Sequence, residues 1–313
     1  METCLVTGGA GFIGSHLCDK LIQNGYKVIC LDNLLTGSKR NIEHLLSNSN
    51  FEFVETDVCK TIDIKDTVNF VFHLASPASP ADFEKIPEEV LLANSLGGLN
   101  VLKFAEKVKA KLLMASTSEV YGDPKEHPQK ETYWGNVNSF GPRSCYDESK
   151  RFAEAATYVY FTKYEIDVRM VRIFNTYGPR MRKDDGRVIS NFINQAIEQK
   201  PLTVYGKGEQ TRSFCFVSDL VEGISRAMFT QGTKGEIMNL GNPEEYKIID
   251  LAEKIKKLTN SSSEIVFGEL PQDDPSQRQP DISKAKRLLG WEPKVTVDEG
   301  LQKTIEYYKS LEK

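Results

Sequence analysis

The 313-residue chain predicts a doubly wound α/β fold, a parallel sheet with helices on both faces, and a smaller C-terminal portion. Three observations lead there. Short apolar runs alternate with helical periodicity through the first half. A glycine-rich turn joins the first run to the first helix. The strand–helix rhythm breaks down beyond residue 175.

Strands are expected at 3–7, 27–32, 51–55, 69–74 and 111–117, where Val, Ile, Phe and Leu dominate with few charges. Strands buried on both faces require that composition. Helical periodicity covers 12–24, 86–108 and 145–164, and Gly25 lies where a left-handed cap ends the first helix. Parallel strands joined by helices need right-handed crossovers. A strand at 167–173 continues the sheet. Beyond it, helices are expected near 187–198, 219–229, 248–258, 283–289 and 298–310, with short strands at 202–205 and 213–217. The expected division is a nucleotide-binding domain over 1–175, including the 145–164 helix, and a mainly substrate-binding portion over 176–313. Some of the latter's segments are expected to return to the sheet. Loops 122–144 and 268–281 are long and rich in Pro, Gly, Asp and Glu, which points to function.

Composition excludes several classes. Forty basic against 44 acidic side chains give a net charge of −4, without the basic excess of a nucleic-acid binder. No apolar run approaches the ~20 residues of a membrane helix. The six cysteines are scattered and the four histidines lack ligand spacing, so reduced thiols and no metal are expected. The first strand begins almost at Met1, leaving no room for a leader, and a cytoplasmic location is the expectation.

Gly8, Gly11 and Gly14 lie between the first strand and first helix. Gly8 makes the tight turn, Gly11 lets a pyrophosphate approach, and Gly14 lets the helix pack on the sheet. The free N–H groups at the helix start then face the phosphates, as in a Rossmann-type dinucleotide site. Asp32 ends the second strand, where a carboxylate accepts from a ribose diol and repels a 2′-phosphate. NAD is therefore the expected cofactor. Its expected contacts also include Phe12, Ile13, Asn33, Thr36, Gly37, Leu74, Ala75, Ser76 and Thr176. Asp57 and Val58 either border the adenine or cap a turn. His73 is expected to be a packed strand-end residue.

Tyr146 and Lys150 stand four apart on a helix and share one face. A lysine there lowers a phenol's pKa and holds the nicotinamide ribose, making the tyrosine a base for a sugar hydroxyl. Thr117, Ser118 and Glu119 emerge at the end of the 111–117 strand, where the nicotinamide should lie. Five arginines in the second half (Arg180, Arg182, Arg187, Arg212 and Arg278) suit phosphates and carboxylates.

The glycine triad, Thr117 at the strand end and the Tyr146–Lys150 pair together resemble the extended short-chain dehydrogenase/reductase family, which works on nucleotide sugars. A closer resemblance, over essentially the whole chain, is to the branch that decarboxylates UDP-linked glucuronic acid. It is carried by Gly37 to Asn41, His73 to Pro80, Ala115 to Pro124, Gly141 to Glu148, Arg172 to Arg180, Asp185 to Phe192, Gln210 to Phe214 and Asp273 to Asp281. The resemblance implies Tyr146 as base at the C4 hydroxyl, Lys150 as its partner, and Thr117 as a hydrogen-bond partner of that hydroxyl. It assigns the sugar carboxylate to Ser118, Glu119 and Arg278. It assigns the nucleotide and diphosphate to Asn175, Arg187, Tyr205, Gln210 and Arg212. It also implies a homodimer built on helices 86–108 and 145–164, whose outer faces carry Leu91, Leu99, Phe152, Tyr158 and Phe161. Leu92 stands where the family often has Lys, and Ser149 where it often has Gly. The alternatives are a nucleotide-sugar 4,6-dehydratase, for which Ser118 is a poor acid, a C4-epimerase, and a non-enzymatic nucleotide-binding protein.

Overall fold

A computed structural model describes residues 1–270, 272–273, 275 and 277–311. Asp274 and Ser276, within the last family-like stretch, lie outside the described residues. The first half runs β1 (Thr3–Thr7), α1 (Phe12–Gln23), β2 (Lys27–Asp32), β3 (Phe51–Glu55), β4 (Phe70–His73), α2 (Pro80–Lys85), α3 (Pro87–Leu92), α4 (Gly98–Val108), β5 (Lys111–Thr117), α5 (Ser144–Tyr164) and β6 (Val168–Ile173). The second runs β7 (Thr176–Tyr177), α6 (Val188–Ile197), β8 (Leu202–Tyr205), β9 (Thr211–Ser213), β10 (Cys215–Phe216), α7 (Val217–Phe229) and β11 (Ile237–Leu240). It ends with β12 (Glu245–Lys247), α8 (Ile248–Thr259), β13 (Ile265–Gly268), β14 (Gln277–Arg278), α9 (Ser283–Leu289) and α10 (Val297–Ser310).

Seven strands form the main sheet in the order β11-β6-β5-β4-β1-β2-β3, every neighbouring pair parallel. The chain steps one way from β1 to β3 and the other way from β4 to β6. The crevice beyond the ends of β1 and β4 is therefore the switch point at which such sheets bind ligands. Alternation along β1 feeds two cores: Cys4 and Val6 join one, Leu5 the other. The first core continues through α1 and α7 into the second portion, so no solvent layer separates the two parts.

The structure departs from the expected elements in several places, besides the unexpected short elements α2, β7 and β12 to β14. The 86–108 helix is α3 and α4 joined by a π-turn, Ala93–Gly97, in a stretch where two glycines weaken the α-helix. The 213–217 strand is β9 and β10, with α7 starting at Val217. Strand β11 is a segment of the second portion that closes one edge of the sheet, at a position where no strand is expected. The two long loops meet: Gln129 N donates to Gln279 O at 2.9 Å and Asp281 N to Gln129 O at 2.8 Å. Among the described residues no helix is long and apolar enough to cross a membrane, and no acid, His or Cys cluster could hold a metal ion.

Candidate active site

A single cavity of about 520 Å³ runs from the glycine turn to β14. Every residue expected to touch cofactor or substrate lines it, from Gly8 to Arg278.

At one end the backbone does the shaping. Gly8 has φ +71°, and a Cβ there would lie 2.7–2.9 Å from the Leu74–Ala75 backbone. A Cβ on Gly14 would lie 2.0 Å from the Gly8 carbonyl. Gly11 caps the start of α1 without a side chain, which leaves the first helical N–H groups facing the cavity. Asp32 accepts from Ala10 N at 3.0 Å and Leu34 N at 2.8 Å. Each oxygen so engaged keeps a further lone pair for a diol. Burial raises the pKa of this carboxyl, and the backbone donors work against that. The cradle fits a dinucleotide: no side chain fills the turn, and a carboxylate stands at the end of β2.

Asp57 caps a turn, and its place leaves the expected adenine contact open to it. It accepts from Cys59 N at 2.8 Å, capping the turn, and it also lines the cavity. His73 is packed at the strand end, its Nδ1 2.8 Å from the Thr7 hydroxyl, and burial pushes its pKa down to about 3.

The other end is built from charged side chains. Tyr146 is buried on α5, and the neighbouring Thr117 hydroxyl favours its ionised phenol. Lys150 donates to Ala115 O at 3.0 Å and lies 5.8 Å from the Tyr146 ring centroid. The protein's own groups do not deliver the expected lowering of the phenol. Burial pushes it up to about 12, against the Thr117 hydroxyl and the Arg187 charge. Burial also lowers Lys150, to about 8, because a desolvated ammonium is costly.

Glu119 sits between two arginines, with Arg143 Nη2 at 2.5 Å and Arg278 Nη2 at 3.2 Å. Burial opposes its ionisation, but Arg278, Arg143 and Arg212 outweigh that and hold it well below the ordinary carboxylate range. Ser118 Oγ donates to Glu119 Oε1 at 3.2 Å. Arg278 is only 1 % exposed yet lines the cavity, and it also bonds the Ser118 carbonyl. The cluster carries more positive than negative charge, so it can accept an anionic group. Arg187 donates to Ala78 O at 3.2 Å, and Gln210 Nε2 to Tyr205 O at 2.8 Å, and all three of Arg187, Tyr205 and Gln210 line the cavity. Leu92 lines the wall between the two ends, without a charge.

Sequence reasoning missed Arg143. Its signal was its place three residues before Tyr146, one turn earlier on the same helix face. It also missed Asp82 and Phe83 on α2, whose short helix has little periodicity to show.

A dinucleotide cradle opening onto a buried Tyr–Lys pair at the switch point defines the extended short-chain dehydrogenase/reductase class. Within it, the family described as GDP-mannose 4,6 dehydratase matches residues 5–304, and the chain belongs to that family. It is 53% identical to UDP-glucuronic acid decarboxylase 1 of Xenopus tropicalis over 305 residues, which are 97% of this chain and 72% of that protein. It is 52% identical to UDP-glucuronic acid decarboxylase 1 of Arabidopsis thaliana, over 98% of this chain and 69% of that one. Among solved structures it resembles UDP-glucuronic acid 4-epimerase from Bacillus cereus in complex with UDP-glucuronic acid and NAD. That match has a TM-score of 0.90 and 32% identity and covers 99% of each chain.

Proposed function

We propose that the protein is an NAD-dependent UDP-glucuronate decarboxylase that makes UDP-xylose and CO2. The observation that carries this reading is the Arg143–Glu119–Arg278 cluster beside Tyr146 and Thr117. Many 4,6-dehydratases, though not all, carry an acid at the place of Ser118. Here Ser118 is no acid, and Glu119 is held ionised by its arginines. The decarboxylases at 52–53% identity support the same reading.

The cradle from Gly8 to Asp32 holds NAD, with Leu74 to Ser76 and Thr176 along its other side, and Lys150 reaches its nicotinamide ribose. Bound NAD supplies a hydride acceptor that returns the hydride at the end of the turnover. Tyr146 takes the proton of the sugar C4 hydroxyl, positioned by Thr117. With C4 a ketone, the C5 carboxylate belongs to a β-keto acid, and its loss as CO2 leaves an enolate. Thr117 and Tyr146 hydrogen-bond that oxyanion, protonation at C5 gives the 4-keto pentose, and Tyr146 gives its proton back to the C4 oxygen when the hydride returns. Arg278, with Ser118 and Glu119 beside it, orients the carboxylate before it leaves. Arg187, Tyr205, Gln210, Arg212 and Asn175 hold the UDP.

The protein works as a homodimer in the cytoplasm. Leu91 and Phe152 (each 44 % exposed) and Tyr158 (65 % exposed) on α3 and α5 support the dimer. Leu99 and Phe161, expected on the same outer face, are half-buried within the subunit. All six cysteines are free, which suits a reducing compartment.

Incubation with UDP-glucuronate and NAD tests the reading. The expected product has the mass of UDP-xylose, with one CO2 released. A C4 epimer without CO2 would make the protein an epimerase. A 4-keto-6-deoxy sugar from a neutral nucleotide hexose, without CO2 from the uronate, would make it a dehydratase.

A further inference from the structure

We propose that the Asp82–Arg182 ion pair is a clasp that positions the catalytic tyrosine, by holding Phe83 of α2 against the Tyr146 ring. The proposal rests on the reading of Tyr146 as the base.

Helix α2 has six residues, too few to be stable by itself, so its place is set by what holds it. Its inner side packs on the catalytic helix. Phe83 and Tyr146 stack with ring centroids 4.8 Å apart and planes 19° apart, and Val90 completes the cluster. Its other side faces the 181–187 loop across the cavity. Arg182 Nη2 donates to both Asp82 oxygens, at 2.9 and 3.0 Å. Ser79 Oγ donates to Asp185 O, and Arg187 Nη2 donates to Ala78 O at 3.2 Å. The two segments approach so closely that a Cβ on Gly186 would sit 3.1 Å from the Ala81 methyl. The loop is itself anchored: Tyr308 OH on α10 donates to Met181 O at 3.0 Å and to Arg182 O at 3.3 Å.

A continuous line of contacts therefore runs from α10 through the loop and α2 to the tyrosine. Asp82 is buried and Arg182 only partly exposed, so the pair is not a solvent-screened surface contact. A general base works only while its oxygen is held at the proton it takes, and Phe83 packs against one face of that ring. The stack also excludes water. Burial is the main cause of the raised phenol pKa, so loosening α2 should let it fall. The charged groups around the phenol and its stack are Arg187 from the loop, Glu119 after β5, Arg143 over the Phe83 ring at 5.6 Å, and Asp147 and Lys150 on α5. Neither Phe83 nor Arg182 substitution removes any of them.

The test uses the NAD-loaded enzyme. Arg182→Met and Phe83→Ala should each lower kcat by ~10- to 100-fold while leaving KM for UDP-glucuronate essentially unchanged. Phe83→Tyr, which keeps the ring, should retain most of kcat. The double charge swap Asp82→Arg with Arg182→Asp should recover part of what either single change loses. Phenolate absorbance, taken as the difference from the same protein with Tyr146→Phe, should show ionisation at lower pH in Arg182→Met than in wild type. Should Arg182→Met not fold, the isosteric Asp82→Asn carries the same measurements. An increase in KM or weaker UDP binding with kcat intact would make Arg182 a substrate contact and overturn the clasp. So would a lower kcat with unmoved phenol ionisation and no rescue by the swap. If wild type releases no CO2, the proposed reaction fails, while the phenol titration still decides whether the clasp sets Tyr146.

Discussion

The two ends of the cavity are built by different means. At the nucleotide end, the chain from β1 to the end of β2 supplies the turn, the helix start and the acceptor. Even Asp32 is oriented by backbone donors 2 and 22 residues away, Leu34 and Ala10. At the sugar end, Glu119 follows β5, Arg143 precedes α5 and Arg278 lies in β14, with 159 positions between Glu119 and its second arginine. The first end is specified by the absence of side chains and the second by a balance of buried charge. Added atoms should therefore damage the first, and lost charges the second.

The largest effect should fall on the sugar end. Tyr146→Phe keeps the ring and its stack on Phe83 while removing the proton acceptor, so folding and NAD binding should persist. Turnover should fall by ~10²- to 10⁴-fold. Stopped activity with intact NAD binding would confirm that the two ends are separable. Retention of more than about a tenth of kcat would remove Tyr146 from its role, because a lost general base costs more than that.

Arg278→Ala comes next. A hydrogen bond to a charged group contributes ~1.5–3 kcal/mol, so kcat/KM for UDP-glucuronate should fall ~10- to 100-fold, with UDP binding nearly intact. Equal loss of UDP affinity would assign Arg278 to the diphosphate instead. Acid titration sharpens the point. Glu119 has its pKa depressed below the ordinary 4.5, so its ion pairs stabilise the fold above that pH and less as pH falls below it. The variant starts less stable at neutral pH. The gap between it and wild type, measured by urea unfolding, should narrow as pH drops below 4.5. A gap that stays constant would mean that Arg278 does not stabilise the ionised Glu119.

The same contrast explains what the sequence disclosed. The glycine triad, Asp32 and the Tyr146–Lys150 spacing are local patterns, and each was legible because neighbours in sequence are neighbours in space. Glu119 was legible from its place at a strand end and Arg278 as one of five arginines, but their roles came only from a family-like stretch around each, and their mutual contact was not legible. Arg143 lay unnoticed within such a stretch. Strands β11 to β14 are two to four residues long, too short for a period to show. Helix α2 has its own start signal in Ser79 and Pro80, but its tie to the 181–187 loop through Arg182 lies 100 positions away and shows in no local pattern. The phenol's pKa was misjudged because Lys150 was weighed without the burial that the packed site imposes.

The smallest effect should fall on a side chain at the nucleotide end. Asn33 follows Asp32 directly and lines the cavity, so its position alone would make it a cofactor contact. Its amide, however, is spent locally: Nδ2 donates to Asp57 Oδ2 at 3.1 Å, and Oδ1 accepts from Leu35 N at 3.0 Å, both exposed to water. Asp57 keeps its bond from Cys59 N when that amide is removed. An exposed hydrogen bond exchanges readily with water and contributes about 1 kcal/mol or less. Asn33→Ala should therefore weaken NAD by at most about fivefold in direct titration, with kcat unchanged. Gly14→Ala in the same titration should do far worse, because its Cβ has no space beside the Gly8 carbonyl. If Asn33→Ala costs as much affinity as Gly14→Ala, side chains as well as backbone build the nucleotide end, and the contrast between the two ends fails.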